Sequence, residues 1–268
     1  MLTRFHKMQG LGNDFVVLDA RSETIPISPA LAQALADRRT GVGCDQLIVV
    51  GASDKADVSM RIWNADGSEV EACGNATRCV PVLVGSNCSV ETAAGILTAN
   101  LAGDGATVDM GKPRFGWEDI PLAYAMDTSA MPVAWGMLEQ PAAVNMGNPH
   151  LVFFVPDIDA VPLAELGPTI EHDPLFPERI NVNIATVLDT GHIRMRTWER
   201  GAGLTLACGT GACATFAAGR KLGRLGIQAR LDLPGGALSL AENGDGHLLM
   251  SGPATYVFTG QIDLARFG

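Results

Sequence analysis

Apolar and polar positions change places over short runs along most of this 268-residue chain, so strands dominate the prediction. Phe5 to Ala20 reads as two strand pieces around Gly10-Leu11-Gly12-Asn13, the second being Phe15-Val16-Val17-Leu18. Ser28 followed by Pro29 has the chemistry of a helix start. That helix is expected to turn Leu31, Ala34 and Leu35 inward and to stop near Gly41. Leu47 to Val50 predicts a buried strand, and Val58 to Trp63 an alternating one that runs into the turn Asn64-Ala65-Asp66-Gly67. A helix is predicted just after Cys73, cut short by Pro81 and Gly85. Thr92 to Gly111 holds two more strands around Gly103-Asp104-Gly105.

The second half repeats this order. Strands are predicted at Leu151 to Val155, Ile180 to Val187 and Ile193 to Trp198, with a short helix over Pro162 to Ile170 limited by Gly167-Pro168. Gly211 to Leu222 is apolar nearly all round, as befits a helix in the middle of a domain. Ala229 to Leu233, Ala237 to Leu240, Leu248 to Gly252 and Tyr256 to Ile262 complete the strands. The likeness between halves is one of residues as well as pattern. Displaced by 135 positions, Met60-Arg61-Ile62-Trp63 falls on Met195-Arg196-Thr197-Trp198, and Ala72-Cys73-Gly74 on Ala207-Cys208-Gly209. Gly12-Asn13 falls on Gly147-Asn148, and Gln46 on Asn181. The expected class is α+β in two similar lobes. One spans 1–117 and carries Cys73, completed by 256–268; the other spans 118–255 and carries Cys208, the boundary lying near Gly116 to Pro121.

Composition narrows the partners. A net charge of −10, with no basic cluster longer than Arg38-Arg39, leaves no electrostatic footprint for nucleic acid or an anionic membrane. The N-terminus has no apolar signal core, and no apolar run approaches the roughly 18 to 20 residues needed to cross a bilayer. The expected location is the cytoplasm, with the six cysteines reduced. The spacings Cys73-x5-Cys79 and Cys208-x4-Cys213 do not match the usual zinc pattern, so no metal is expected.

A cysteine at the mouth of a helix meets unpaired backbone N–H groups and the positive end of the dipole. Both favour thiolate and lower the pKa, and the same N–H groups can hold a carboxylate. Cys73-Gly74-Asn75 and Cys208-Gly209-Thr210-Gly211 both fit this description. Two such halves around one substrate suit proton removal from one face of a carbon and return to the other. An amino-acid α-carbon, one bond from a carboxylate, is the natural target. Cys44, Cys79, Cys88 and Cys213 are not followed by glycine and do not share the repeat register, and they are expected to be small buried hydrophobes.

With those residues in view, the chain resembles the diaminopimelate epimerase family over essentially its whole length. The likeness rests on Gly10-Leu11-Gly12-Asn13-Asp14-Phe15, Asn64-Ala65-Asp66-Gly67-Ser68-Glu69, Ala72-Cys73-Gly74-Asn75, Gly147-Asn148-Pro149-His150, Trp198-Glu199-Arg200-Gly201 and Ala207-Cys208-Gly209-Thr210-Gly211-Ala212. It implies two pseudo-symmetric lobes, each a largely antiparallel mixed sheet wrapped as a barrel around a central helix. It also implies interconversion of LL- and meso-diaminopimelate without a cofactor, in lysine and peptidoglycan precursor supply, by a homodimer. Cys73 and Cys208 become the acid–base pair, with His150 and Glu199 tuning their protonation. Asn13, Gln46, Asn64, Asn148, Asn181 and Arg200 become polar contacts to substrate, and Glu199 doubles as one. The main chain of Gly74-Asn75 and Gly209-Thr210 would hold the reacting end. Ala76-Thr77 departs from the family's more frequent Gly-Ala.

Other readings stay open at this level. A proline or hydroxyproline racemase of the same architecture would also pair cysteines, though it needs less polar furniture at a distal end. A non-catalytic amino-acid-binding or thiol-redox protein is the alternative from another class; the redox version would more naturally show C-x-x-C, which is absent. Gly10-x-Gly12 and Gly209-x-Gly211 do not complete a dinucleotide loop.

Overall fold

The computed structural model describes residues 2–70 and 73–267; Ala72 of the first Ala-Cys-Gly lies outside them. The fold is α+β, strand-rich, in two compact units, Met1–Val108 with Ser251–Gly268 and Asp109–Met250. The Gly116 to Pro121 stretch lies inside the second unit.

The first half runs β1 (Leu2–Gly10), β2 (Asn13–Ala20), α1 (Pro29–Ala36), β3 (Gln46–Gly51), β4 (Val58–Asn64), β5 (Glu69–Val70), α2 (Gly74–Val84), β6 (Cys88–Thr92), β7 (Gly95–Ala102) and β8 (Gly105–Asp109). The short hairpin β9 (Ala134–Trp135) and β10 (Leu138–Glu139) follows. Then come β11 (Ala142–Asn145), β12 (Pro149–Phe154), α3 (Leu163–Glu171), β13 (Asn181–Asp189), β14 (His192–Glu199), β15 (Gly203–Thr205), α4 (Gly209–Lys221), β16 (Gln228–Leu233), β17 (Gly236–Glu242), β18 (Leu248–Pro253) and β19 (Thr255–Asp263).

The strands of the two units are paired to one plan. In the first, β1 pairs antiparallel with β19 and β2, β2 parallel with β3, β3 antiparallel with β4, and β4 parallel with β6. In the second, β11 and β12 are antiparallel, β12 and β13 parallel, β13 and β14 antiparallel, and β14 and β16 parallel. Register repeats too. Phe15 lies opposite Gln46 as His150 lies opposite Asn181, and Ile48 opposite Ile62 as Asn183 opposite Thr197. In each unit the strands pack on one helix: α2 lies against β1, β6, β7 and β19, and α4 against β11, β12, β13 and β17. Helix α4 is buried on every side from Gly211 to Gly219, which its unbroken run of small and apolar residues allows. The 135-residue offset ends after these helices, because α4 has 13 residues and α2 has 11.

Several local expectations need correction. Helix α1 stops at Ala36, short of Gly41, because the Asp37 side chain accepts from the N–H groups of Arg39 and Thr40 and offers them an alternative to helix. Its buried face is Leu31, Ala32, Leu35 and Ala36, with Ala34 only half-buried. Pro81 does not end α2. The helix continues to Val84 and closes on Gly85, whose φ of 79° puts it in the left-handed region and whose N–H reaches Pro81 O. Gly167-Pro168 likewise sits inside α3. Gly167 is required there by packing: a Cβ would stand 2.5 Å from the Trp198 ring.

Candidate active site

Each unit places one of its cysteines in the same setting. Cys73 (φ −146°, ψ 111°) and Cys208 (φ −123°, ψ 110°) are the extended residues that cap α2 and α4. Their carbonyls accept the first helical bonds, from Thr77 N and Ala212 N, both at 2.9 Å. The first-turn N–H groups of Gly74-Asn75 and Gly209-Thr210 stand beside the two cysteines at the helix starts, where an anion can be received.

In the first unit, β2 delivers Asn13 to Cys73. Asn13 Oδ1 lies 3.9 Å from the thiol sulfur and accepts from Asn75 Nδ2 at 3.3 Å. Gln46 and Asn64, opposite one another on β3 and β4, are joined by Nε2 to Oδ1 at 3.0 Å. Asn64 Nδ2 donates to Ser68 Oγ. A charged cluster beneath them was not foreseen. Asn13 Nδ2 and Asp14 N both donate to Asp45 Oδ2, at 3.0 and 3.1 Å, and Asp45 N returns a bond to Asp14 Oδ1. Arg38 pairs with both carboxylates and Lys7 with Asp14. Burial pushes the Asp14 carboxyl up, but hydrogen bonds and charge from Arg38 and Lys7 prevail and hold it at about 2. Strand ends carrying Asn13 and Gln46 are thereby tied together by ions.

In the second unit the same positions are tied without charge. His150 is fully buried, and burial, aided by the nearby Arg200 guanidinium, pushes its imidazole down to about 3. Both effects favour the neutral imidazole over the cation. Its Nε2 meets Asn148 Oδ1 at 2.8 Å and its Nδ1 meets Asn183 Nδ2 at 3.3 Å. Asn181 Nδ2 donates to Pro149 O, and Asn181 Oδ1 accepts from Arg200 N at 2.9 Å. The Arg200 side chain is exposed and donates to Glu178 O.

Cys208 corrects a further expectation. It is buried, and desolvation pushes its thiol far up, with the adjacent Glu199 carboxylate adding to the effect. Bonds from Thr210 and the Gly211 N–H pull the other way and lose. Desolvation of sulfur outweighs the helix N-terminus, so Cys208 stands as a thiol donating to Glu199. Burial raises the Glu199 carboxyl as well, against bonds from Thr205 and Cys208. The remaining thiols fit the role of core hydrophobe: burial lifts Cys44 and Cys88 to about 11 and Cys79 to about 12, and Cys213 is fully enclosed in α4.

Comparison with known proteins decides the family. The diaminopimelate epimerase sequence pattern matches residues 5–116 and 142–257. The chain belongs to the diaminopimelate epimerase family. Among members of that family it is 64% identical to diaminopimelate epimerase of Zymomonas mobilis over 268 residues, covering all of both chains. It is 60% identical to that of Rhizorhabdus wittichii, covering 100% of this chain and 98% of the other. The fold extends further than the family. A PhzF-family phenazine biosynthesis protein from Bacillus anthracis superposes with a TM-score of 0.71 at 16% identity, over 98% and 99% of the two chains. A hydroxyproline epimerase from Agrobacterium vitis does so at 0.70 and 16%, over 97% and 92%. At such identities the likeness is of fold alone.

Sequence reasoning missed Asn183, Thr197, Asp14, Asp45, Lys7 and Arg38. The first two carried a signal: each is a polar residue at a position whose repeat mate, Ile48 or Ile62, is apolar and buried. The charged set carried none, because its members lie far apart in the chain.

Proposed function

We propose that this enzyme interconverts LL- and meso-diaminopimelate by two-base proton transfer at the α-carbon, with Cys73 and Cys208 acting from opposite faces and no cofactor. The observation that carries this reading is the pair of repeat-related cysteines, each at the N-cap of a central helix, with the Asn13 amide beside Cys73 and Glu199 and Thr210 beside Cys208. One sulfur, as thiolate, takes the α-proton; the other, as thiol, delivers a proton to the opposite face. The roles exchange in the reverse direction. Cys208, held as a thiol by burial and Glu199, is the donor in the resting enzyme. The α-carboxylate sits on the N–H groups of Gly74-Asn75 and Gly209-Thr210, whose dipoles stabilise charge as it spreads from the α-carbon into the carboxylate. Asn13, Gln46, Asn64, Asn148 and Asn181 supply donors and acceptors without net charge, and Arg200 grips the distal carboxylate.

The same reading makes the enzyme cytoplasmic, where thiols stay reduced, and assigns it to lysine and peptidoglycan precursor supply. It also makes it a homodimer. Tyr256, Val257 and Phe258 form an exposed apolar run on β19 that a second copy would cover. Purified, reduced enzyme in heavy water, with chelator and no added cofactor, is expected to exchange the α-hydrogen of both diaminopimelate isomers. Folded enzyme that leaves those hydrogens unexchanged would end the assignment.

A further inference from the structure

We propose that His150 serves as a neutral spacer that aims the Asn148 amide, and that Asn183 is the positioning residue that sets its tautomer. The inference rests on the reading of Asn148 as a substrate contact. The chain of contacts begins at a backbone carbonyl. Leu151 O can only accept, and Asn183 Nδ2 lies 3.0 Å from it. Thr197 Oγ1, 3.0 Å from the other end of the same amide, donates to Asn183 Oδ1. Both ends of this fully buried amide are therefore assigned.

The direction then passes along the chain. Asn183 Nδ2 faces His150 Nδ1 and makes it the acceptor. The ring proton sits on Nε2 and is donated to Asn148 Oδ1 at 2.8 Å. Asn148 Nδ2 is left without a hydrogen bond among the described residues, so this half-buried amide presents an N–H₂ group and no acceptor. A site for a carboxylate needs that polarity; the flipped amide would present an oxygen to an anion. His150 has no titration to perform in this role. An imidazolium would need an acceptor at Nδ1, where the structure supplies only a donor.

The first unit has no counterpart. The matching positions are Phe15, Ile48 and Ile62, all buried and apolar. The network is thus no requirement of the sheet, whose pairing is the same in both halves. Gly211 opens space for it: a Cβ there would stand 2.5 Å from Asn183 Oδ1 and 3.3 Å from the Cys208 sulfur. At its repeat mate, Ala76, a Cβ is present and buried.

Nitrogen-15 NMR of histidine-labelled enzyme tests the tautomer directly, with His150 identified among the five histidines by loss of its signals in His150→Gln. The expected spectrum has Nε2 protonated and Nδ1 bare, unchanged from about pH 8 to about pH 6, where an ordinary histidine titrates. An imidazolium or an Nδ1–H ring would overturn the proposal. In Asn183→Asp a carboxylate replaces the donor, so the proton should move to Nδ1. Asn148 should then turn, and KM for diaminopimelate should rise on the order of ten- to a hundredfold while kcat changes by less than about threefold. A folded Asn183→Asp enzyme that keeps both the Nε2–H signature and its KM would also overturn it. If that variant does not fold, Asn148→Asp decides with the wild-type spectrum: it retains the acceptor for Nε2–H but loses the N–H₂ group, so KM should rise as far with the tautomer unchanged. An unchanged KM there would refute the aiming role. Heavy-water exchange by wild-type enzyme is independent of these readouts and separates failure of this proposal from failure of the functional reading.

Discussion

The two halves share strand order, register and a cysteine-capped helix, yet they hold their amides in place by opposite means. The first uses Lys7, Asp14, Arg38 and Asp45, ions near the surface. In the second those positions are Ala142, Pro149, Asp173 and Ile180, and the work falls to His150, Asn183 and Thr197, neutral groups sealed in the interior. A duplicated framework therefore fixes where side chains can stand and leaves open how they are secured. Ion pairs at an edge are individually worth little and are screened by salt. Buried hydrogen bonds are costly to break because the abandoned partner has no water to turn to. The second half is the one that should tolerate least.

The largest contrast concerns the sulfurs. Cys73→Ala and Cys208→Ala should each lower epimerisation by about a hundredfold to ten-thousandfold, measured as conversion of the LL isomer to the meso isomer and the reverse. Either mutant turning over at the wild-type rate would remove the two-base scheme. Alkylation separates the pair further: half-buried Cys73 should be modified first, and Cys208, enclosed and held as a thiol, later. Mass spectrometry of partly inactivated enzyme reads the order.

Next come the repeat-related helix positions. Gly211→Ala forces a methyl against Asn183 and the Cys208 sulfur and should cost about 1 to 3 kcal/mol, with loss of activity. Ala76→Gly, its mate, leaves only a helix-propensity cost of about 1 kcal/mol plus the packing of one lost methyl. Equal effects in chemical denaturation would mean the halves are packed alike after all.

Acid should find the halves in sequence. His150 has its folded pKa lowered from 6.5 to about 3, so the stability it confers is complete above about 6.5 and is lost as pH falls towards 3, at about 1.4 kcal/mol per pH unit. Asp14 is lowered from 3.8 to about 2, so its contribution is present above 3.8 and is lost only as pH falls through 2. Amide exchange between these limits should show β12 and β13 loosening before β2 and β3. His150→Asn should flatten the upper part of that profile, and Asp14→Asn only the lower. The smallest effect is expected at Arg38, whose side chain is 57% exposed. Arg38→Ala should cost no more than about 1 kcal/mol, and less in high salt.

Much of this was legible in the chain. Alternation of apolar residues located the strands, and Ser28-Pro29 located the start of α1, because period and capping are local properties. The stop at Pro81 is absent from α2, whereas the short helix expected over Pro162 to Ile170 is present as α3 with Gly167-Pro168 inside it. A helix that is packed on a sheet can absorb a proline, and packing on Trp198 is invisible from the glycine itself.

By itself the sequence determined the duplication, the two helix-capping cysteines and the family, since these depend on residue identity and spacing. Only the tertiary structure decided the state of the groups so positioned: a Cys208 thiol driven up by burial where the helix start alone argues for thiolate, and a neutral His150 with one tautomer. Protonation is set by solvent exclusion and by partners such as Glu199, Arg200 and Asn183, and the fold brings those partners and that exclusion together from separate strands.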